Sequence, residues 1–471
     1  MPHNDRKPHL AWVLALTSTA FFMICLDATV VANALPRIEE SLHVGFASLQ
    51  WTVNAYNIAI AAGIICGAAL GDRYGRRRLY VVGLAIFTLS SVVCALASTG
   101  AVLIAARTAQ GLGGALLLPL SLTILTEAVP VEKRAAMLGI YGGIAGLAVA
   151  AGPIIGGAIT EGVSWHWIFW INVPVGVATI VLASALLPES RGRAVPLDLA
   201  GVALISVSLV SIVWGLVRAN DLGWGSAEIV STLALGVVAA IAFVVWEART
   251  AHPMVSLQLL RIPAFSAGNG VAFCQMASIS AGAFLTTQYF QFALGYSPLQ
   301  AGLRLLPFYG TPMVIAPLAG KATARFGLRP LIVAGMALLG AGFAYVAFAA
   351  SVHPSYPAIV TALFVAGVGV SLTIPTVPAA VLGAVDPEET GTASGTNNML
   401  QRFGAVFGIA VATAVFSAHG HIGTASSFTD GFRPGVAVPA ILAFFGALAG
   451  LAVSHGEQQA TELEVVERLA A

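Results

Sequence analysis

Along most of the chain, apolar residues run for about twenty positions at a time and polar residues gather in short clusters between the runs. Runs of that length suit a hydrocarbon layer about 30 Å thick, because a helix rises about 1.5 Å per residue. The pattern predicts fourteen transmembrane helices, near residues 10–34, 51–71, 79–97, 101–125, 137–160, 166–187, 198–217, 228–247, 264–293, 300–321, 331–350, 356–382, 391–417 and 436–455. A polar tail from Gly456 to Ala471 follows, with Glu457, Glu462, Glu464 and Glu467, and is expected in the cytoplasm.

Composition agrees with an all-α polytopic membrane protein. Of 471 residues, 58% are hydrophobic and 9% charged, where soluble proteins carry about 25% charged residues. The net charge of +1 and the lack of a basic stripe give no reason to expect nucleic acid as a partner. The distribution of basic residues says more. With the amino terminus in the cytoplasm, the inner loops hold Arg73, Arg76, Arg77, Arg78, Lys133, Arg134, Arg191, Arg193, Arg249, Arg261, Lys321, Arg325 and Arg329, and the outer loops only Arg37, Arg218 and Arg433. That asymmetry orients both termini toward the cytoplasm of a cell membrane and supports an even number of spans. The first run is longer than the apolar core of a signal peptide and carries an acid, so it reads as a retained span. Cys25, Cys66, Cys94 and Cys274 all lie in apolar runs as small core residues, and the pair His419 and His421 is too few ligands for a metal site.

Asp27 is the one carboxylate placed well inside a membrane-length run. A charged Asp near the centre of a spanning helix costs about 2.5–3.5 kcal/mol on insertion scales, so it calls for a partner or a role. Arg107, in the fourth run, is the expected partner, and the separation of the two would set whether Asp27 holds a proton. Arg107 and Gly111 share one helix face, so the arginine meets its neighbour where backbones can come close.

The segment Gly71-Asp72-Arg73-Tyr74-Gly75-Arg76-Arg77-Arg78 closes the second span. Asp72 lies at the partly negative end of its own helix and would prefer the amino-terminal end of another, such as the thirteenth span near Thr390 to Ser394. Arg325-Phe326-Gly327-Leu328-Arg329 echoes the segment after the tenth span, with Ala324 in place of Asp72, as in transporters built from internal repeats. In the fifth span, Gly143 precedes Gly152-Pro153 and Gly156-Gly157, a small-residue seam bent by a proline.

These motifs resemble the major facilitator superfamily, and within it the fourteen-span drug:proton antiporters. The resemblance rests on Leu26-Asp27-Ala28-Thr29-Val30-Val31-Ala32-Asn33-Ala34-Leu35-Pro36, Gly71 to Arg78, Arg107-x-x-Gln110-Gly111, Gly143 to Gly157, and Trp165-His166-Trp167-Ile168-Phe169-Trp170-Ile171-Asn172-Val173-Pro174. It implies two six-helix bundles, residues 1–190 and 256–456, an inserted helix pair at 191–255, and a tail at 457–471. It also implies proton-coupled efflux by alternating access. Asp27 and Arg107 would carry the proton coupling; Gly71, Asp72, Arg73, Gly75, Arg76 and Arg77 would form a conformational latch; and Gly143, Gly152, Pro153, Gly156 and Gly157 would form the antiporter motif. Three positions depart from the family: Ala32-Asn33 shifts an asparagine by one residue, about 100° around the helix, His166 stands for a common arginine, and Gln401-Arg402 reverses the usual order. The shift counts against a substrate or proton contact from the Asn33 amide.

A substrate cavity is expected to be lined by Trp51, Asn54, Tyr56, Asn57, Gln110, Gln275, Phe284, Gln288, Gln291, Asn397, Asn398 and Gln401, an apolar cleft with a few polar groups that suits lipophilic small molecules. One membrane carboxylate favours monocationic, neutral or zwitterionic substrates over dications. No cofactor is expected, which leaves the proton gradient as the energy source, with the lipid bilayer, protons and substrate as partners. A same-fold uptake symporter or facilitator is the alternative, and a proton-translocating respiratory subunit would need chains of intramembrane Lys and Glu that this sequence lacks. No constellation of nucleophile, base or metal ligands points to an enzyme.

Overall fold

The computed structural model describes residues 10–192, 198–250, 253, 255, 257–386 and 389–453, and among them every regular element is helical. Arg193 and the polar tail lie outside the described residues. By their contacts the residues form two compact units, one of Met1–Met254, Thr286–Leu305 and His421–Phe428, the other of Val255–Leu285, Leu306–Gly420 and Thr429–Ala471.

The first unit holds α1 (Leu10–Leu42), α2 (Phe46–Tyr74), α3 (Arg76–Ala95), α4 (Gly100–Ala128), α5 (Val131–Gly162), the single turn α6 (Trp167–Trp170), α7 (Asn172–Leu186), α8 (Leu199–Leu222) and α9 (Ala227–Glu247). Its core joins Val13, Leu16 and Ile24 of α1 to Tyr56 of α2, Phe87 of α3 and Leu117 and Leu120 of α4. The inserted α8 and α9 form a hairpin. Asp198 caps α8, accepting from the Gly201 amide at 2.8 Å, and Ser208 donates to the Gly236 carbonyl of α9 at 2.9 Å. Trp214 of α8 lies 5.9 Å from Trp51 of α2, ring to ring, which attaches the hairpin to α2.

α10 (Pro263–Gln288) passes from the second unit to the first, ends in a wide turn at Tyr289–Ala293, and is followed by the short α11 (Pro298–Arg304). The second unit continues with α12 (Leu306–Tyr309), α13 (Thr311–Phe326), α14 (Leu328–Ala349), α15 (Tyr356–Leu382), α16 (Thr390–His419) and, from Thr429 on, most of α17 (Ala425–Gly450).

Twelve helices among the described residues are long and apolar enough to cross a membrane, and α2, bent by 50° between Phe46–Ile64 and Cys66–Tyr74, makes thirteen. The remaining expected span, 300–321, is not one helix: it is broken into α11, α12 and α13. Pro307 and Pro312 remove two backbone donors within six residues and Gly310 lies between them, which accounts for the breaks. Large apolar side chains such as Phe348, 76% exposed, and Val314, 70% exposed, point outward, as a lipid-facing surface requires.

The weak repeat in the sequence is a repeat in structure. Gly75 between α2 and α3 has φ +113° and Gly327 between α13 and α14 has φ +78°, backbone conformations that side chains disfavour. Arg73 stacks over Tyr74 at 5.4 Å and Arg325 over Phe326 at 5.3 Å, one residue before each glycine. The next helix in each case crosses its successor at a pair of glycines: a side chain on Gly83 of α3 would meet the Gly113 carbonyl of α4 at 3.2 Å, and one on Gly335 of α14 would meet the Gly369 carbonyl of α15 at 2.9 Å.

Candidate functional site

Five helices of the first unit converge on Asp27. Arg107 of α4 approaches it with Nη1 2.5 Å from Oδ2, and the two side chains are 1% and 0% exposed. Gln110, on the same face of α4, binds both: its Oε1 accepts from Arg107 Nη1 at 2.6 Å and its Nε2 donates to Asp27 Oδ1 at 3.0 Å. The second Gln110 donor reaches Ser91 Oγ of α3 at 2.9 Å. Asn172, the first residue of α7, donates to Asp27 Oδ1 at 3.3 Å. Arg107 Nε donates to the Thr52 carbonyl of α2 at 3.2 Å, and the guanidinium lies 4.1 Å from the centre of the Tyr56 ring. Both charges are thus out of water, and Arg107 Nε and Nη1, both Asp27 oxygens and both ends of the Gln110 amide are hydrogen-bonded. Such a pair costs several kcal/mol of desolvation per ion and is offset only by geometry of this quality. Removing the charge of Asp27 would leave Arg107 buried without its counter-ion.

At the end of the unit that carries the basic loops, Asp72 accepts from Arg76 Nε at 2.8 Å. Arg76 also pairs with Glu127 at the end of α4, and Glu127 accepts from Ser190 Oγ at 2.6 Å. Beyond α7, Glu189 accepts from the Arg77 amide at 3.1 Å and lies 3.6 Å from Arg78 Nε, while Arg77 Nη1 donates to the Leu187 carbonyl at 3.1 Å. A side chain on Gly75 would strike Glu189, and one on Gly71 would strike Leu120. The expected latch residues Asp72 and Arg76 therefore join an ionic cluster with Glu127, and Arg77 joins a second one with Glu189 and Arg78. Arg73 turns outward, over Tyr74, and Arg78 is also largely exposed.

The glycines of α5 face two neighbours. Gly152 sits against Thr29 of α1, Gly156 would place a side chain 3.0 Å from the Val30 Cα, and Gly157 would place one 2.5 Å from the Leu299 Cα of α11. Gly143, by contrast, has no atom within 4 Å of the place a side chain would occupy. Asn33, one turn beyond Val30, is 1% exposed and donates to the Pro153 and Pro298 carbonyls, both at 2.8 Å. The shifted amide is a helix-to-helix contact in this structure.

The residues expected to line a cavity divide between the two units. In the first, Trp51 faces Trp214, Tyr56 lies under Arg107, Asn57 donates to its own helix at the Val53 carbonyl, and Asn54 is fully buried with neither amide atom hydrogen-bonded among the described residues. Gln288 and Gln291 donate to the Ala32 carbonyl and to Asn33. In the second, Gln275 donates to Thr373 of α15 at 2.6 Å, Asn397 to Asn269 of α10 at 3.2 Å, and Gln401 to Asn397 at 2.7 Å; Phe284 is buried, and Asn398 is exposed and bonded to the Ser394 carbonyl. Interhelical hydrogen bonding engages Gln110, Gln275, Gln288, Gln291 and Asn397.

The family model of the Major Facilitator Superfamily matches residues 17–268 and 268–465. The chain belongs to that superfamily. It is 35% identical over 407 residues to the "Multidrug resistance protein Stp" of Mycobacterium tuberculosis (strain CDC 1551 / Oshkosh), covering 86% of this chain and 75% of that one. It is 37% identical over 330 residues to the "Tetracenomycin C resistance and export protein" of Streptomyces glaucescens, covering 70% of this chain and 61% of the relative. It is 35% identical over 414 residues to the "Cephamycin export protein CmcT" of Amycolatopsis lactamdurans, covering 85% and 84%. Among solved structures, a peptide transporter, POT, in complex with sulfate superposes with a TM-score of 0.70 at 16% identity over 96% of this chain and 95% of that one. The human organic anion transporter MFSD10 (TETRAN) superposes with 0.64 at 16% identity over 94% and 100%. Both likenesses show the fold.

As a major facilitator, the chain is a membrane transporter. Within this framework Asp27, Arg107 and Gln110 are placed together, while Ser91, Asn172 and the Thr52 carbonyl were not anticipated as site groups. Asn172 had a sequence signal: it is an amide inside an apolar run, directly before Val173-Pro174. Ser91 is one of many small hydroxyls, and a backbone carbonyl leaves no trace in sequence. Glu127 and Glu189 were also missed, although each stands at the end of an apolar run, where a carboxylate can meet the basic loop.

Proposed function

We propose that the chain exports lipophilic small molecules, antibiotics among them, across the cell membrane in exchange for protons. The observation that carries this reading is the fully buried Asp27–Arg107–Gln110–Asn172 cluster in a transporter about one-third identical to drug and antibiotic export proteins. Asp27 takes a proton when the site opens outward, which breaks its pair with Arg107, and releases it when the site opens inward and substrate loads. This alternation needs no cofactor. The basic loops face the cytoplasm by charge asymmetry, which sets both termini there. Asn54 supports a polar contribution to substrate binding: a buried amide without partners is costly to maintain, and an opened site would give it one.

Inverted vesicles bearing the wild type or Asp27→Asn, loaded with an imposed pH gradient and given a panel of lipophilic compounds, test the reading. Substrate-triggered proton movement that vanishes in Asp27→Asn is expected. Proton-independent transport, substrate flux in the opposite direction, or unchanged coupling in Asp27→Asn overturns it.

A further inference from the structure

We infer that Asn33 is a releasable clasp that holds the end of the first unit away from the basic loops shut, and that through α1 it ties this closure to Asp27. The clasp is built entirely of hydrogen bonds. Both amide hydrogens of Asn33 are engaged, on the Pro153 carbonyl of α5 and the Pro298 carbonyl of α11. Its Oδ1 accepts from Gln291 Nε2 at 3.1 Å, the same nitrogen reaches the Asn33 carbonyl at 3.0 Å, and Gln288 Nε2 donates to the Ala32 carbonyl at 3.2 Å. A buried asparagine offers four hydrogen-bond sites, and three are filled here. The family's asparagine at position 32 would point about 100° away around α1; in this chain the carbonyl of residue 32 is bound by Gln288 instead.

What Asn33 holds is a segment with unusual connectivity. Thr286–Leu305 belongs to the first unit by contact, yet it is joined on both sides to stretches of the second unit, at Leu285 and Leu306. The α-helical geometry of α10 ends at the Tyr289–Ala293 turn, and the chain breaks again at Leu305, so the part between them, which carries Gln291 and Pro298, is flanked by two interruptions. Its contacts with α5 include glycine-to-backbone approaches, Gly157 on Leu299 and Gly302 on the Pro153 carbonyl, with Glu161 accepting from the Leu299 amide at 3.3 Å. The two glycines contribute no side chains to interlock at these points. Hydrogen bonds to carbonyls can be exchanged for water when the end opens, which a packed apolar seam does not allow.

α1 makes the link. Asp27 and Asn33 are six residues apart, about 9 Å along the helix axis, and between them Thr29 and Val30 press on Gly152 and Gly156. Releasing Asn33 frees α1 to shift along α5, and that shift is delivered to Asp27. This inference rests on the exchange cycle proposed above.

The test places spin labels at Val163→Cys and Leu303→Cys, two exposed positions at the ends of α5 and α11, in a background with the four native cysteines replaced. Pulsed dipolar distances are then measured in nanodiscs. The background should show one short distance. Asn33→Val should raise the population of longer distances on the order of tenfold to a hundredfold, since two amide–carbonyl bonds are lost. Gln291→Leu, which leaves both Asn33 donor bonds intact, should give a smaller rise, on the order of fivefold, and it alone decides if Asn33→Val does not fold. Asp27→Asn should also lengthen the distance in the background and add nothing in Asn33→Val. Unchanged distances in both Asn33→Val and Gln291→Leu overturn the clasp, and an Asp27→Asn effect that persists undiminished in Asn33→Val overturns the link. The readout needs no transport, so a lengthened distance without substrate-driven proton release would keep the clasp and remove the exchange cycle.

Discussion

Replacing Arg107 by methionine keeps an unbranched apolar stem and removes the guanidinium with its charge. Asp27 would then keep Gln110 Nε2 at 3.0 Å and Asn172 Nδ2 at 3.3 Å but lose its counter-ion at 2.5 Å. Charges about 4 Å apart attract by about 4 kcal/mol at an effective dielectric of about 20. Removing one partner of a buried pair costs about 3–5 kcal/mol, because the other charge stays desolvated. Arg107→Met alone should therefore lower the apparent melting temperature in detergent sharply. Asp27→Asn alone should do so as well, by leaving Arg107 uncompensated. The double variant Asp27→Asn/Arg107→Met leaves no buried charge and should recover most of the loss, giving a coupling of at least about 2 kcal/mol, near the upper part of what contacting residues show. Melting temperatures of the four proteins, read at one pH in one detergent, complete the cycle. Additive losses would refute the reasoning, since they would mean that Asp27 and Arg107 each contribute through other contacts.

Asp72→Asn should reduce transport while leaving its pH dependence unchanged, because Asp72 is tied to Arg76 and Glu127 and is remote in sequence from the Asp27 cluster; vesicle transport measured across pH checks this. Gly75→Ala should destabilise by about 1–3 kcal/mol, since φ is +113° and the new side chain would also meet Glu189, and the melting temperature should fall accordingly. His166, stacked on Trp165 at 3.8 Å, has its pKa lowered from 6.5 by burial. The unfolded chain then takes up its proton first as pH falls, so stability from this group is full above the unfolded value and is lost on acidification through the folded one. The wild type should lose more melting temperature between pH 7 and pH 5 than His166→Gln, and an equal loss would show that His166 does not titrate differently on folding.

The charge pair was legible in sequence because an acid and an arginine in separate apolar runs have few physical excuses for being there. The seam at Gly152, Gly156 and Gly157 was legible for a similar reason, since small residues at that spacing admit a neighbouring backbone. The fracture of the expected tenth span was written in Pro307, Gly310 and Pro312, but hydropathy averages over such residues and so passed across them. Asn172 and Asn33 were visible as amides in apolar runs without revealing what they bind.

By itself, the sequence determined the helical membrane class, the approximate position of the spans, the repeat around Gly75 and Gly327, and the membership of Asp27 and Arg107 in one site. These follow from length, hydropathy and charge, which act locally or through large energies that any fold must satisfy. Tertiary structure alone decided that Gln110, Asn172, Ser91 and the Thr52 carbonyl complete the site, that Glu127 and Glu189 hold the basic loop, and that Asn33 joins α1 to α5 and α11. A neutral hydrogen bond is weak, short in range and satisfied by many partners. Which partner it takes depends on helix rotations of a few tens of degrees, and those are set by packing across the whole unit.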